Sequence, residues 1–175
     1  MKKVSRRRFI ENGTVATLGL SVLPLTVQAK NNLQKTVKIG MIGTGNRGTG
    51  HTKTILTIEG AEIVALCDLS RSKAESAADL CQKAGKSRPK IYCKDENTWK
   101  ELLDNEKLDL VIISTYWESH TPIALYAMKN GIHPGIEVPA SLTINDTWQL
   151  VETSEKTGIP CMMMENWSFR KDNLA

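Results

Sequence analysis

Short runs rich in valine and isoleucine alternate along this chain with longer stretches whose apolar residues recur every three to four positions. The runs at 37–43, 63–69, 90–93, 108–114, 135–138 and 161–165 are expected to be strands. The stretches at 47–59, 72–84, 98–105, 121–130 and 143–157 are expected to be helices. Glycines follow four of them, at Gly60, Gly85, Gly131 and Gly158, where a left-handed residue ends a helix at no steric cost. Three helices open with capping-box spacing: Ser72 with Glu75, Thr98 with Glu101, and Thr143 with Asp146. Pro122 is expected in the first turn of the fourth helix and Pro134 just before the fifth strand, positions where a missing N–H is tolerated. Residues 110–113 are apolar on both faces, as in a central strand covered from both sides. Regular strand–helix alternation predicts an α/β fold built on a doubly wound parallel sheet with right-handed crossovers.

Before the first strand the pattern is different. Residues 1–29 carry Lys2, Lys3, Arg6, Arg7 and Arg8 against Glu11 alone, then a weak apolar stretch and the small-residue exit Val27-Gln28-Ala29. These are the parts of a secretory signal, and the paired arginines are similar to the twin-arginine type. A signal peptide at 1–29, a linker at 30–36, a nucleotide-binding domain at 37–167 and the start of a further linker at 168–175 are therefore expected. The twin-arginine translocase is then the export partner, with a periplasmic or extracellular destination. The chain's formal charge of +4 lies wholly in the leader. The remainder balances and offers no basic face for nucleic acid or anionic lipid. No apolar run reaches the roughly 20 residues of a membrane span, so no membrane association is expected once the leader is removed.

Cys67, Cys81, Cys93 and Cys161 fit no zinc spacing, and neither do His51, His120 and His133, so no metal site is expected. Three of the cysteines fall in strand-like runs and one in a helix, which predicts buried free thiols.

The clearest chemistry is Gly43-Thr44-Gly45-Asn46-Arg47-Gly48, a G-x-G-x-x-G directly after a strand and at the opening of a helix. Asp68 lies 20 residues beyond Gly48, at the end of the second strand. That combination is the dinucleotide fingerprint of a Rossmann domain. Gly43 makes the tight turn, Gly45 lets the backbone approach a diphosphate, and Gly48 permits close packing of helix on strand. Asp68 is expected to accept from ribose hydroxyls and to favour NAD over NADP, a preference that Arg47 and Arg71 blur. Further candidates follow later strands: Thr115-Tyr116-Trp117-Glu118-Ser119-His120, then Glu137-Val138-Pro139, then Glu165-Asn166. All lie at carboxyl ends of parallel strands, where open sheets bind ligands. Trp117 could face a nicotinamide or sugar ring, or cap the sheet. His120 could donate to a ribose or carboxamide, or cap the helix after it.

From residue 37 to 166 the chain resembles the nucleotide-binding half of the Gfo/Idh/MocA family. It shares the glycine loop, the turn from Thr115 to His120 before Pro122-Ile123-Ala124, and a version of the family's Glu-Lys-Pro turn. Within that family, Glu137-Val138-Pro139, Trp117-Glu118-x-His120, and the runs at 148–156 and 161–166 are similar to glycoside hydrolase family 109. Those are bacterial NAD-dependent alpha-N-acetylgalactosaminidases, several with twin-arginine leaders. By position, the resemblance puts NAD contacts on Asn46, Arg47, Asp68, Trp117, Glu118, Ser119, His120, Glu137, Val138 and Asn166. It departs at Ser119, where the hydrolases usually carry tryptophan, and at Trp167-Ser168-Phe169.

The resemblance implies an NAD-dependent glycosidase of small-molecule glycosides: transient oxidation at C3, elimination of the aglycone, and addition of water. Val138 stands where the sugar dehydrogenases have a proton-exchanging lysine, so no catalytic acid or base is assigned within these residues. The resemblance also implies a second α+β substrate domain, absent from these 175 residues, and leaves a homo-oligomer open. Two rival functions remain, an exported sugar oxidoreductase of the same family and a binding module that turns over nothing.

Overall fold

A computed structural model describes residues 36–167 of the chain. The expected leader at 1–29, residues 30–35 of the expected linker, and the segment 168–175 lie outside the described residues.

The elements run β1 (Val37–Ile42), α1 (Asn46–Ile55), β2 (Ala61–Cys67), α2 (Arg71–Lys83), β3 (Lys90–Tyr92), α3 (Thr98–Asn105), β4 (Leu110–Ile113), α4 (Trp117–Lys129), β5 (His133–Ile136), α5 (Ile144–Thr157) and β6 (Met162–Met163). The six strands form one sheet in the order β3-β2-β1-β4-β5-β6, and every pairing is parallel. The chain winds outward from β1 to β3, then returns to β4 on the other side of β1. The connections leaving β1 and β4 therefore diverge, which opens a crevice at their carboxyl ends.

Helices cover both faces. Ile112 packs with Ile39, Met41 and Leu66 beneath α1 and α2, while Val111 and Ile113 pack with Leu102, Ile123 and Ala127 beneath α3 and α4. Alternation along β4 thus feeds two cores, as the double-sided apolar run predicts. Each such fully buried branched side chain contributes roughly 2 kcal/mol.

Several element ends differ from the pattern reading. α1 stops at Ile55 rather than at 59, because Leu56–Gly60 is spent on turns that bring Ala61 into register with Val37. The real N-cap of α2 is Ser70, not Ser72: Ser70 N–H donates to Asp68 Oδ1 at 2.8 Å, and the two serine hydroxyls bond to each other. Asn97 precedes α3, and the Thr98 hydroxyl is tied to Asp95, so the expected box with Glu101 does not form. The α5 cap behaves as expected: Thr143 Oγ1 accepts from Asp146 N–H at 3.1 Å, and Gly158 closes the helix at φ 70°.

Two prolines are displaced from their expected places. α4 begins at Trp117, four residues early, so Pro122 is its sixth residue. Pro134 lies inside β5 rather than before it. The amides of His133 and Glu137 face β4, at Asp109 O and Ile113 O, so by alternation position 134 faces β6. β6 begins pairing only at Gly135, and the missing donor falls before the ladder starts.

The four cysteines are free, but only Cys67 and Cys81 are buried, since Cys93 and Cys161 fall just outside their strands. Burial, with the charge of Asp68 adding to it, pushes the Cys67 thiol up to about 12, and burial pushes Cys161 up to about 11. Burial also raises Cys81. Because the thiolate is the reactive form, iodoacetamide at pH 8 should mark Cys93 first and the other three only after unfolding. Mass spectrometry showing equal labelling of all four in the native protein would contradict this.

Candidate functional site

The crevice starts with the glycine turn. Gly43 has φ +88°, and a Cβ there would sit 2.4 Å from Ser114 O. A Cβ on Gly48 would sit 2.0 Å from Gly43 O, so the first turn of α1 lies directly on the end of β1. Gly45 is different, because a Cβ there meets nothing within 4 Å. It is the N-cap of α1 and borders open space. The leading amides of α1 lack helical partners, and no acidic residue occupies its first turn. The combination is suited to an anion.

Asp68 follows β2 and stands beside this turn. Its Oδ2 accepts from Thr44 N–H at 2.7 Å and from the Thr44 hydroxyl at 3.0 Å. A cavity of ≈320 Å³ gathers Gly43, Gly45, Asp68, Ser70, Lys73, Trp99, Thr115 and Ser119 among its lining. The Ser119 hydroxyl is bonded to Thr115 Oγ1 at 2.6 Å. Arg71 lies outside this lining and pairs with Glu75 at 3.5 Å. Lys73 is thus the basic side chain that reaches the cavity.

A second group joins the far side of the crevice. Arg47 Nε donates to Glu137 Oε1 at 2.7 Å, and His51 Nε2 meets the same oxygen at 2.5 Å. Arg47 Nη2 also reaches Asn166 Oδ1 at 3.4 Å, and Val138 N–H reaches Glu137 Oε2 at 3.3 Å. The start of α1 is thereby tied to the ends of β5 and β6. Burial pushes the Glu137 carboxyl up, but hydrogen bonds and charge from Arg47 and His51 outweigh it and hold the group below its ordinary 4.5.

A carboxyl depressed on folding contributes stability above the unfolded value and loses it as pH falls through the folded one. Glu137→Gln should therefore flatten the acid limb of the melting curve below about pH 4.5. An unchanged acid limb would contradict the pairing.

The other sequence candidates are spread around these two groups. Asn46 opens α1 and is exposed. Trp117 and Glu118 open α4 and are exposed, and Val138 is exposed behind Glu137. Trp117 does not cap the sheet. His120 is only 1% exposed: its Nδ1 lies 2.8 Å from Pro139 O and its Nε2 3.2 Å from Thr115 O. It is neither a helix cap nor a donor open to the crevice. It links α4 to the turn after β5. Sequence reasoning passed over Thr44, Lys73 and His51. His51 stands four residues after Arg47, hence on the same face of α1, and that spacing was the available signal. Among the described residues no cluster of His, Cys, Asp or Glu could hold a metal ion, and no helix is long and apolar enough to cross a membrane.

The match to the family model described as an oxidoreductase family with an NAD-binding Rossmann fold spans residues 37–165. The chain belongs to the Gfo/Idh/MocA oxidoreductase family. Among curated relatives, it is 34% identical over 189 residues to a glycosyl hydrolase family 109 protein of Shewanella pealeana, covering 98% of this chain and 41% of that one. It is 33% identical over 192 residues to an alpha-N-acetylgalactosaminidase of Shewanella oneidensis, covering 99% and 42%. The chain spans about two fifths of the length of these relatives.

Solved structures of this fold include a myo-inositol 2-dehydrogenase of Lactobacillus plantarum, at TM-score 0.68, 22% identity and coverage of 78% of this chain and 38% of that one. Another is a scyllo-inositol dehydrogenase of Lactobacillus casei with bound NAD(H) and scyllo-inositol, at TM-score 0.67, 21% identity and coverage of 78% and 38%. NAD is the cofactor of this Gfo/Idh/MocA domain, and its glycine turn fits it: the Gly45 position is open where a diphosphate approaches, and a carboxylate stands one strand away.

Proposed function

We propose that the chain is the cofactor-holding domain of an NAD-dependent glycosidase acting on an alpha-N-acetylgalactosaminide or a closely related small glycoside. The observation that carries this reading is one crevice combining an open Gly45, the free amides of α1 and the Asp68 carboxylate, in a chain similar over nearly its whole length to glycosyl hydrolase family 109 proteins. Bound NAD supplies a reversible hydride acceptor, which in glycosidases of this kind serves transient oxidation at C3 of the sugar before elimination and water addition.

The amides at Asn46 and Arg47 receive the diphosphate. Asp68 accepts from the adenosine ribose and repels a 2′-phosphate, while Lys73 softens that preference. Glu137, Val138 and Asn166 border the nicotinamide half, and Trp117, Glu118 and Ser119 at the start of α4 complete the set of cofactor contacts. Val138 has no proton to exchange, so the acid and base of the reaction come from outside this set. The basic leader, read as a twin-arginine signal, would deliver the domain folded to the periplasm or beyond. Nothing in the balanced charge of the domain calls for nucleic acid.

Calorimetric titration tests the cofactor assignment. Asp68→Ala should weaken NAD binding about 30-fold, the loss expected of a charged hydrogen-bond acceptor. Product analysis with an alpha-N-acetylgalactosaminide tests the chemistry. Free aglycone at constant reduced nicotinamide supports the glycosidase. Reduced nicotinamide accumulating from an intact glycoside supports a sugar dehydrogenase instead.

A further inference from the structure

Thr44 occupies a variable position of the glycine motif, where the fingerprint assigns no role to the side chain. In this protein that side chain is 1% exposed, and both of the residue's donors end on one atom. The main-chain N–H meets Asp68 Oδ2 at 2.7 Å, and the hydroxyl meets the same oxygen at 3.0 Å. Ser70 N–H holds the other oxygen at 2.8 Å. Thr44 is itself anchored, since its carbonyl accepts from the Thr49 hydroxyl at 3.0 Å. A carboxylate offers about four acceptor positions. Three of these are filled by protein donors, so Asp68 cannot rotate without losing a hydrogen bond. The free position is on Oδ1, and Asp68 lines the ≈320 Å³ cavity.

We infer that Thr44 is a positioning residue for the cofactor: its hydroxyl clamps Asp68 so that a single carboxylate oxygen is left to accept a ribose hydroxyl. The inference rests on the NAD reading of the crevice. It makes the glycine turn and the ribose-binding carboxylate one rigid unit, with the diphosphate and ribose contacts set by adjacent residues of the same turn. Asp68 then accepts from one ribose hydroxyl, not from both. The hydroxyl matters because a donor to a charged acceptor is stronger than a neutral pair, and because preorganised contacts spare the ordering cost of binding.

The test is calorimetric titration of NAD into the wild-type chain, Thr44→Val, Thr44→Ser, Asp68→Ala, and the double variant Thr44→Val with Asp68→Ala. Thr44→Val keeps the size and the main-chain N–H and removes only the hydroxyl. It should weaken NAD binding roughly tenfold, the loss of one charge-assisted hydrogen bond. Thr44→Ser should restore affinity to near the wild-type value. In the Asp68→Ala background Thr44→Val should have no further effect, because a residue acting through Asp68 has nothing left to position. If Thr44→Val does not fold, Thr44→Ala removes the same hydroxyl without new bulk and carries the same expectation.

Thr44→Val binding as tightly as wild type while Asp68→Ala weakens overturns the role of Thr44 and leaves the cofactor site standing. An equal loss in both backgrounds marks a merely structural residue and also overturns it. Asp68→Ala binding as tightly as wild type removes the ribose role itself.

Discussion

Gly48→Ala should destabilise the domain by about 3 kcal/mol or more, whereas Gly45→Ala should leave it folded and weaken its hold on the dinucleotide. The methyl group at position 48 would lie 2.0 Å from the carbonyl oxygen of Gly43. The Gly43 backbone is fixed on other sides: its N–H is bonded to Cys67 O at 2.8 Å, and a Cβ on it would sit 2.4 Å from Ser114 O. Neither strand end can give way without breaking the sheet where β1 meets β2 and β4. For a domain of this size the melting midpoint should fall by about 10 °C.

At Gly45 the backbone is extended with a negative φ, −64°, and the added methyl meets no protein atom. The stability cost is that of a poorer N-cap, about 0.5 kcal/mol. NAD affinity should nevertheless fall by roughly tenfold or more, because the methyl stands where the diphosphate must approach. Melting curves and calorimetry on the two variants separate these effects. Equal destabilisation by both would contradict the assignment of distinct roles.

His120→Leu should cost about 2 kcal/mol of stability, because it removes the ring nitrogens that meet the Pro139 and Thr115 carbonyls and strips a donor from one of them. The histidine is enclosed, with Pro139 O at 2.8 Å from Nδ1 and Thr115 O at 3.2 Å from Nε2. The closer of the two contacts is the one between Nδ1 and Pro139 O. The side chain thus holds the turn after β5 against the first turns of α4, and Glu137 opens that turn. NAD binding should weaken through displacement of the loop, not through a lost ligand contact. His120→Gln, which can still reach one carbonyl, should recover part of the stability. A variant that melts like wild type but binds NAD poorly would return His120 to the cofactor.

The contrast at His120 illustrates what the sequence could and could not carry. Strands were legible because β-branched runs at this spacing have one use in a parallel sheet, and β4 announced its central position by being apolar on both faces. The glycine motif was legible because its glycines have general physical reasons: a positive φ at Gly43, a contact at Gly48 that admits no Cβ, and at Gly45 an open side left for a ligand.

The simplest local rules failed where a competing hydrogen bond won. Ser70 rather than Ser72 caps α2 because Asp68 holds its amide. Thr98 turned to Asp95 instead of Glu101. The early start of α4 was not legible, because its first turn, Trp117 to His120, carries no apolar periodicity of its own and Pro122 resembles a first-turn residue. The Arg47–His51–Glu137 cluster joins residues 86 and 90 positions apart in sequence, and only its α1 half could be paired from spacing.

The central claim is that α1 begins where a diphosphate belongs. Diffraction from crystals of the chain grown with NAD addresses it directly. Diphosphate oxygens should lie within hydrogen-bond reach of the Asn46 and Arg47 amides, with the adenosine ribose on Asp68. A dinucleotide bound elsewhere, or a crevice left vacant at saturating NAD, would contradict it.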